Sequence, residues 1–157
     1  MISIRPATDK DASIILGMIR ELAEFEKMAD SVELTEQKLA EDLKSEACSG
    51  LLAYDMEVAV GMILYYFAYS TWQGQYIHME DLYIKRDFRR RGIGNRLWAE
   101  LSKIAKSRGC KRLQWNVLDW NKPAIEFYKM APFIDLSKEG WLTYRLDDKG
   151  IAQLADA

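Results

Sequence analysis

The chain has 157 residues, 49% of them hydrophobic, with 22 basic and 24 acidic side chains and a formal net charge of −2. That length favours a single domain, 1–157, with a real core, and the charge balance excludes a general nucleic-acid binder, which needs a basic face. No apolar run reaches the ~18 residues of a membrane span, and two cysteines, Cys48 and Cys110, without metal-type spacing point to a reduced, cytoplasmic setting.

Ile2 and Ile4 alternate with polar residues, so the N-terminus predicts a first strand and not a signal peptide. Thr8 is suited to cap a helix, with Asp9 and Asp11 in its first turn. Ile15, Met18, Ile19, Leu22 and Phe25 then recur at helical spacing, which predicts a helix from about Asp9 to Met28. Thr35 caps a second helix through about Lys44. Gly50–Tyr54, Val58–Tyr69 and Tyr76–Lys85 predict a three-stranded meander, with Asp55-Met56-Glu57 and Ser70–Gln75 as its turns.

Next comes Phe88-Arg89-Arg90-Arg91-Gly92-Ile93-Gly94-Asn95-Arg96-Leu97, a basic, glycine-containing turn between a strand and an amphipathic helix, about Gly94 to Arg108. The first turn of a helix carries unpaired amides and partial positive charge, which makes it an anion site. Gly92 and Gly94 lack Cβ, so the backbone can approach a phosphate closely and take positive φ. Gly109 is placed to end the helix. Lys111–Leu118 predicts a strand, Asn121 with Pro123 opens a short helix, Trp141–Leu146 predicts a last strand, and a short helix follows from Asp148. The order β-α-α-β-β-β-α-β-α-β describes an α+β fold, a mixed α/β sandwich around one sheet.

The chemistry is narrowed by what is missing. A P-loop needs Lys-Ser or Lys-Thr where Asn95-Arg96 stands, and a dinucleotide fingerprint wants a small residue at Leu97. The single histidine, His78, builds no metal site alone and leaves no partner for a Ser–His or Cys–His pair. Glu80 and Asp81 are different: adjacent carboxylates inside an apolar strand are costly unless one of them works or is paired.

Arg-x-x-Gly-x-Gly, read here from Arg89 to Gly94 between a long strand and a helix, resembles the acetyl-CoA loop of the Gcn5-related N-acetyltransferase (GNAT) family. Arg5-Pro6-Ala7-Thr8, Glu21-Leu22-Ala23-Glu24-Phe25-Glu26, Tyr65-Tyr66-Phe67, Ser70-Thr71-Trp72, Glu80-Asp81-Leu82-Tyr83, Leu118-Asp119-Trp120-Asn121 and Phe127-Tyr128-Lys129 resemble its spermidine/spermine and thialysine branch. The resemblance runs from about Ile4 to Leu146. It implies a mostly antiparallel central sheet flanked by helices, and a direct transfer of acetyl from acetyl-CoA to a primary amine in a ternary complex.

Residue by residue, the resemblance gives the pyrophosphate to the amides of Arg91, Gly92, Ile93, Gly94 and Asn95, with the arginines at 89–91 adding charge. Backbone N–H near Leu82, Tyr83 and Ile84 serves the thioester oxygen, and Asn121 and Ala124 line the CoA arm. Glu80 binds the amine as a cation ligand and acts as its base through a water. Tyr128 is the general acid that protonates the departing thiolate. Phe25, Glu26, Asp81, Gln114, Trp115 and Asn116 fall on the substrate side. Asp81 is equally readable as structural, Glu26 as one more surface acid, and Trp115 as plain core.

Met130-Ala131-Pro132-Phe133 departs from the family's glycine turn after Tyr128-Lys129, and Pro132 biases Ala131 towards an extended conformation. The acidic set suits a substrate with two cationic nitrogens: a polyamine, a diamine or a lysine analogue, whose carboxylate would call for Arg20, Lys27 or Arg86. A protein or aminoglycoside acetyltransferase and a non-catalytic CoA sensor are the alternatives. The resemblance also implies a homodimer and no metal; the apolar strand Met62–Tyr69, with Trp72 and Trp141, supplies candidate interface surface, which an ordinary core could equally absorb.

Overall fold

In the computed structural model, which describes residues 1–157, the chain forms two compact units, Met1–Asn116 and Val117–Ala157. The first holds a sheet of β1 (Ile2–Pro6), β2 (Ser49–Asp55), β3 (Val58–Ser70), β4 (Gly74–Ile84) and β5 (Leu113–Trp115), in that spatial order. Pairing is antiparallel from β1 through β4 and parallel between β4 and β5. A parallel neighbour needs a crossover, and α3 (Ile93–Ser107) supplies it between β4 and β5. The expected α+β class and mostly antiparallel sheet are present.

The two sheet faces are covered by different helices. Leu52, Met62, Leu64 and Tyr83 form one core with Ile15, Leu16 and Met18 of α1 (Ala12–Phe25) and Leu39 and Leu43 of α2 (Glu36–Lys44). Residues of the opposite parity, Leu51, Ala53 and Ile63, are equally buried, as strand alternation requires. They lie on strands against which α3 packs, and its own Ile93, Leu97 and Leu101 are fully buried.

The first helix is shorter than its periodicity predicts. Asp9–Asp11 form a 3-10 turn instead, because the Asp11 carboxylate is taken by Arg5 Nη1 and Nη2 (3.0 and 2.8 Å) and by the Thr8 amide (2.7 Å). At the other end Lys27 turns left-handed (φ 60°), its amide bonding Glu24 O while the Met28 amide bonds Ala23 O, which closes the helix after Phe25. Gly109 (φ 69°) ends α3 in the same way, as expected.

The β2–β3 hairpin turns on Met56-Glu57, with Asp55 opposite Val58 and Met56 at φ 56°. A side chain in that region strains the backbone, and Met56 is 82% exposed, so it returns little by packing. Met56→Gly is expected to raise stability by about 0.5–1 kcal/mol, the relief exceeding glycine's entropy cost. Urea denaturation reads it as a higher midpoint at constant slope; an equal or lower midpoint counts against strain at this turn.

The second unit holds α4 (Lys122–Tyr128), a 3-10 turn at Leu136–Glu139 and α5 (Asp148–Ala155). The strand expected at Trp141–Leu146 is not formed: the segment pairs with no strand, and Trp141, Leu142 and Tyr144 are 70–86% exposed. Strand propensity gives no ladder without a partner edge. The same rule trims the strand expected at Lys111–Leu118 to Leu113–Trp115, the three residues that face Ile77–Met79. No helix is long and apolar enough to cross a membrane.

Candidate active site

The basic turn leaves β4 through a 3-10 turn, Arg86–Phe88, and enters α3 with Arg90 (φ 63°) and Gly92 (φ 72°) both left-handed. Gly92 is the N-cap of α3 and has no side chain to bond the first turn. The Arg96 amide bonds Gly92 O (3.1 Å), so the amides of Ile93 and Gly94 precede the intrahelical ladder. Gly94 is already helical, so of the two glycines expected to use positive φ only Gly92 does so.

The arginines divide. Arg89 Nε donates to Ile84 O (2.9 Å) with its guanidinium 5.7 Å above the Tyr83 ring. Arg91 donates to Asp87 O (3.2 Å) and lies 5.1 Å over Phe88. Both are turned onto their own loop, and the exposed Arg90 projects from the left-handed residue between them.

A β-bulge shapes the strand before this turn. Leu64 faces Asp81 but Tyr65 faces Met79, so Glu80 is the extra residue of β4. Below the bulge the Ile77 amide bonds Arg112 O, towards β5 (3.3 Å). Above it the Lys85 amide bonds Val60 O of β3 (2.9 Å), so by alternation the Leu82 and Ile84 amides point the other way. That way is an open edge, because β5 pairs with β4 only as far as Met79. The strand therefore offers Leu82 and Ile84 amides beside the uncapped start of α3. Tyr83 faces α1 instead, its hydroxyl donating to Glu21 Oε2 (2.7 Å). Burial and that bond push the Tyr83 hydroxyl up to about 12.

Three carboxylates gather at the bulge. Burial, then the charges of Glu80 and Glu26, push Asp81 up to about 7. Glu26, the C-cap of α1, is raised by burial and by Glu80. Helix α1 thus brings its negative end to the bulge, where a cation is favoured. Behind the cluster, burial with Asp81, Asp42 and Glu80 pushes the Cys48 thiol up to about 11, which keeps it protonated and inert.

His78 and Tyr66 complete the surroundings and were not among the expected site residues. His78 Nε2 lies 3.5 Å from Glu80 Oε2, and its ring stacks on Tyr66 at 5.0 Å. The i, i+2 spacing of His78 and Glu80 was available as a signal, but the bulge that sets their approach was not. Gln114 of β5 stands opposite His78. Trp115 is half-buried and packs edge-on against Trp98 of α3 (5.3 Å), and Asn116 is exposed just beyond β5. Phe25 is the last residue of α1 and is 43% exposed.

In the second unit, the Asn121 side chain accepts from the Ala124 amide (3.4 Å), so these two residues share the cap of α4. Tyr128 ends that helix, half-buried and edge-on to Phe127 (5.4 Å). The Met130 and Ala131 amides bond Phe127 O and Tyr128 O, tightening the turn before Pro132.

The uncapped helix start and left-handed Gly92 fit a pyrophosphate. Gly92→Ala is expected to strain the turn by about 1 kcal/mol and to raise the dissociation constant for CoA severalfold. Calorimetric titration checks it; an unchanged constant moves the anion away from this turn.

Comparison with known proteins bears on the family. The model of the Acetyltransferase (GNAT) family matches residues 16–131. A Caenorhabditis elegans thialysine N-epsilon-acetyltransferase is 49% identical over 150 residues, 95% of this chain and 94% of that one. The Bos taurus protein of the same name is 38% identical over 165 residues, 98% of this chain and 97% of that one. A solved integron cassette protein from the V. cholerae mobile metagenome superposes with a TM-score of 0.77 over 99% of this chain and 98% of its own, at 24% identity, which speaks for the fold alone.

Proposed function

Because the chain belongs to the GNAT acetyltransferase family, with acetyl-CoA as its acetyl donor, we propose that its acceptor is the terminal primary amine of a small molecule with two cationic nitrogens, of the thialysine type. The observation that carries this reading is the carboxylate cluster of Glu26, Glu80 and Asp81 at the bulge of β4. Two relatives named for thialysine acetylation span nearly the whole chain, which supports a lysine analogue over a polyamine.

Acetyl-CoA supplies an acyl carbon already activated as a thioester. The chain's own residues do the rest. Amides of the first turn of α3, with Arg90 beside them, hold the pyrophosphate. The Leu82 and Ile84 amides, aimed off the open edge, orient the acyl arm and steady charge developing on its oxygen. Glu80 binds the reacting ammonium and accepts its proton, directly or through one water. Asp81 and Glu26 hold the positive charge of the substrate near the bulge. Tyr128 delivers a proton to the leaving sulfur.

The test is release of free thiol from acetyl-CoA with thialysine, lysine, spermidine, spermine, putrescine, a histone-tail peptide and an aminoglycoside. Preferred turnover of thialysine supports the proposal. Preference for a polyamine moves the substrate class, and turnover of only the peptide or aminoglycoside overturns it.

The enzyme is further proposed to act as a cytoplasmic homodimer. Both cysteines are free thiols, which suits a reducing compartment. No residue of 117–157 is buried, although Trp141, Leu142 and Tyr144 lie there, which suits apolar surface covered by a second copy.

A further inference from the structure

We propose that His78 is a positioning residue for Glu80: its protonated imidazole holds the Glu80 carboxylate away from the substrate ammonium, and its neutral form releases it. The inference rests on the assignment of Glu80 to the amine.

Geometry carries the argument. His78 is fixed and Glu80 is not. The imidazole side chain is only 12% exposed, is stacked on Tyr66 of β3 and stands opposite Gln114 of β5. The Glu80 side chain, on the extra residue of the bulge, is 60% exposed and so can choose between partners. One partner is His78 Nε2, already 3.5 Å from Glu80 Oε2. The other is the incoming ammonium. Both are cations seeking the same oxygen, so they compete whenever the imidazole is charged.

The neighbours leave this competition readable. Gln114 is neutral, and the Tyr66 hydroxyl, raised by burial and by the Glu80 charge, stays protonated. Tyr76 is the next hydroxyl on β4, close enough to act on Tyr66. Asp81 and Glu26, both acidic, also act at the bulge, and the Arg112 guanidinium, just before β5, lies over the Tyr76 ring (5.0 Å). Asp81 titrates at about 7, so it also weakens the hold on a cation as pH falls. The contribution of His78 is therefore the part of the pH dependence that disappears with the imidazole.

The experiment measures KM for thialysine from pH 6 to 8.5 in the parent, in His78→Phe, which keeps a ring to stack on Tyr66, and in Glu80→Gln. The parent KM is expected to rise at least tenfold from pH 8.5 to 6, and that of His78→Phe no more than about threefold, the remainder belonging to Asp81. Equal rises in the two proteins overturn the proposal. Glu80→Gln separates the premise from the inference: an unchanged KM at pH 8.5 removes Glu80 from the amine site and the role of His78 with it. A second readout needs no folded histidine variant. His78 is the chain's one histidine, so 13C-histidine labelling gives a single ring resonance. Thialysine is expected to move that resonance in the parent at pH 7 and not in Glu80→Gln. A resonance unmoved by saturating thialysine in the parent, or moved equally in both, overturns the proposal.

Discussion

Replacing Tyr128 with phenylalanine is expected to lower kcat about 100-fold, with the dissociation constant for acetyl-CoA within twofold of the parent. The change removes one hydroxyl and keeps the ring, so the edge-on contact with Phe127 at 5.4 Å survives. Under the proposed function, what is lost is a proton donor for the leaving sulfur. Tyrosine ionises near 10 and a simple thiol near 8.5, so a tyrosine is still protonated at neutral pH and can give its proton to a thiolate as negative charge builds on it. A positioned acid contributes about 10²–10⁴ in rate, and the lower end applies because a thiolate is a tolerable leaving group unaided. Single-turnover kinetics with calorimetric titration of acetyl-CoA separates the outcomes. An unchanged kcat removes Tyr128 from proton transfer. A weaker dissociation constant with kcat intact makes it a wall of the cofactor site.

Much of the framework behind that prediction was legible in the sequence, for identifiable reasons. Periodicity located α1, α3 and the meander because each buries a continuous face, and the Thr35 cap located α2. The turn at Gly92 was legible because a positive φ at a helix start selects glycine. What escaped depends on pairing. Nothing in Met79-Glu80-Asp81 says that Glu80 is an extra residue, since a bulge is defined by the opposing strand, here the step from Leu64 to Tyr65. For the same reason the open edge beyond Met79 was an expectation from resemblance, and the strand at Trp141–Leu146 was an error. Asp11 was read as a first-turn acid of a helix, whereas tertiary contact with Arg5 made it a buried ion-pair partner.

That contrast between two aspartates yields the second large effect. Asp11 is held down to about 2 by the hydrogen-bonded Arg5 guanidinium, so its charge stabilises the fold above its usual 3.8 and the benefit is lost as pH falls through about 2. Asp81 has the opposite sign. It rises from 3.8 to about 7, chiefly through burial, with Glu80 and Glu26 adding. Between those values the native state keeps a proton that the unfolded chain has released, so stability falls as pH rises from about 4 to about 7, and the whole penalty is present above 7. The interval from 3.8 to about 7 corresponds to about 4 kcal/mol at most.

Asp81→Asn removes the charge and keeps the shape. It is expected to stabilise the protein by about 2–4 kcal/mol at pH 8, the lower end allowing for a buried amide with imperfect partners, and by nothing at pH 4. The same substitution at Asp11 is expected to destabilise at pH 8, since it leaves Arg5 without its carboxylate. Under the proposed function Asp81→Asn also raises KM for thialysine about tenfold, because the site loses one of three charges that attract its ammonium groups. Saturating thialysine should then raise the melting temperature of the parent more than that of the variant, the ligand's cation relieving the repulsion among Glu26, Glu80 and Asp81. Urea denaturation at pH 4 and 8, with steady-state kinetics at pH 8, tests both halves. A variant that is more stable and equally active would make Asp81 a burden without a use, and would shift the amine to Glu80 and Glu26 alone. A variant less stable at pH 8 would mean that Asp81 is paired like Asp11. The outcome expected here, more stable and less active, is the mark of a carboxylate held in place against its own electrostatics for the sake of a cation that arrives later.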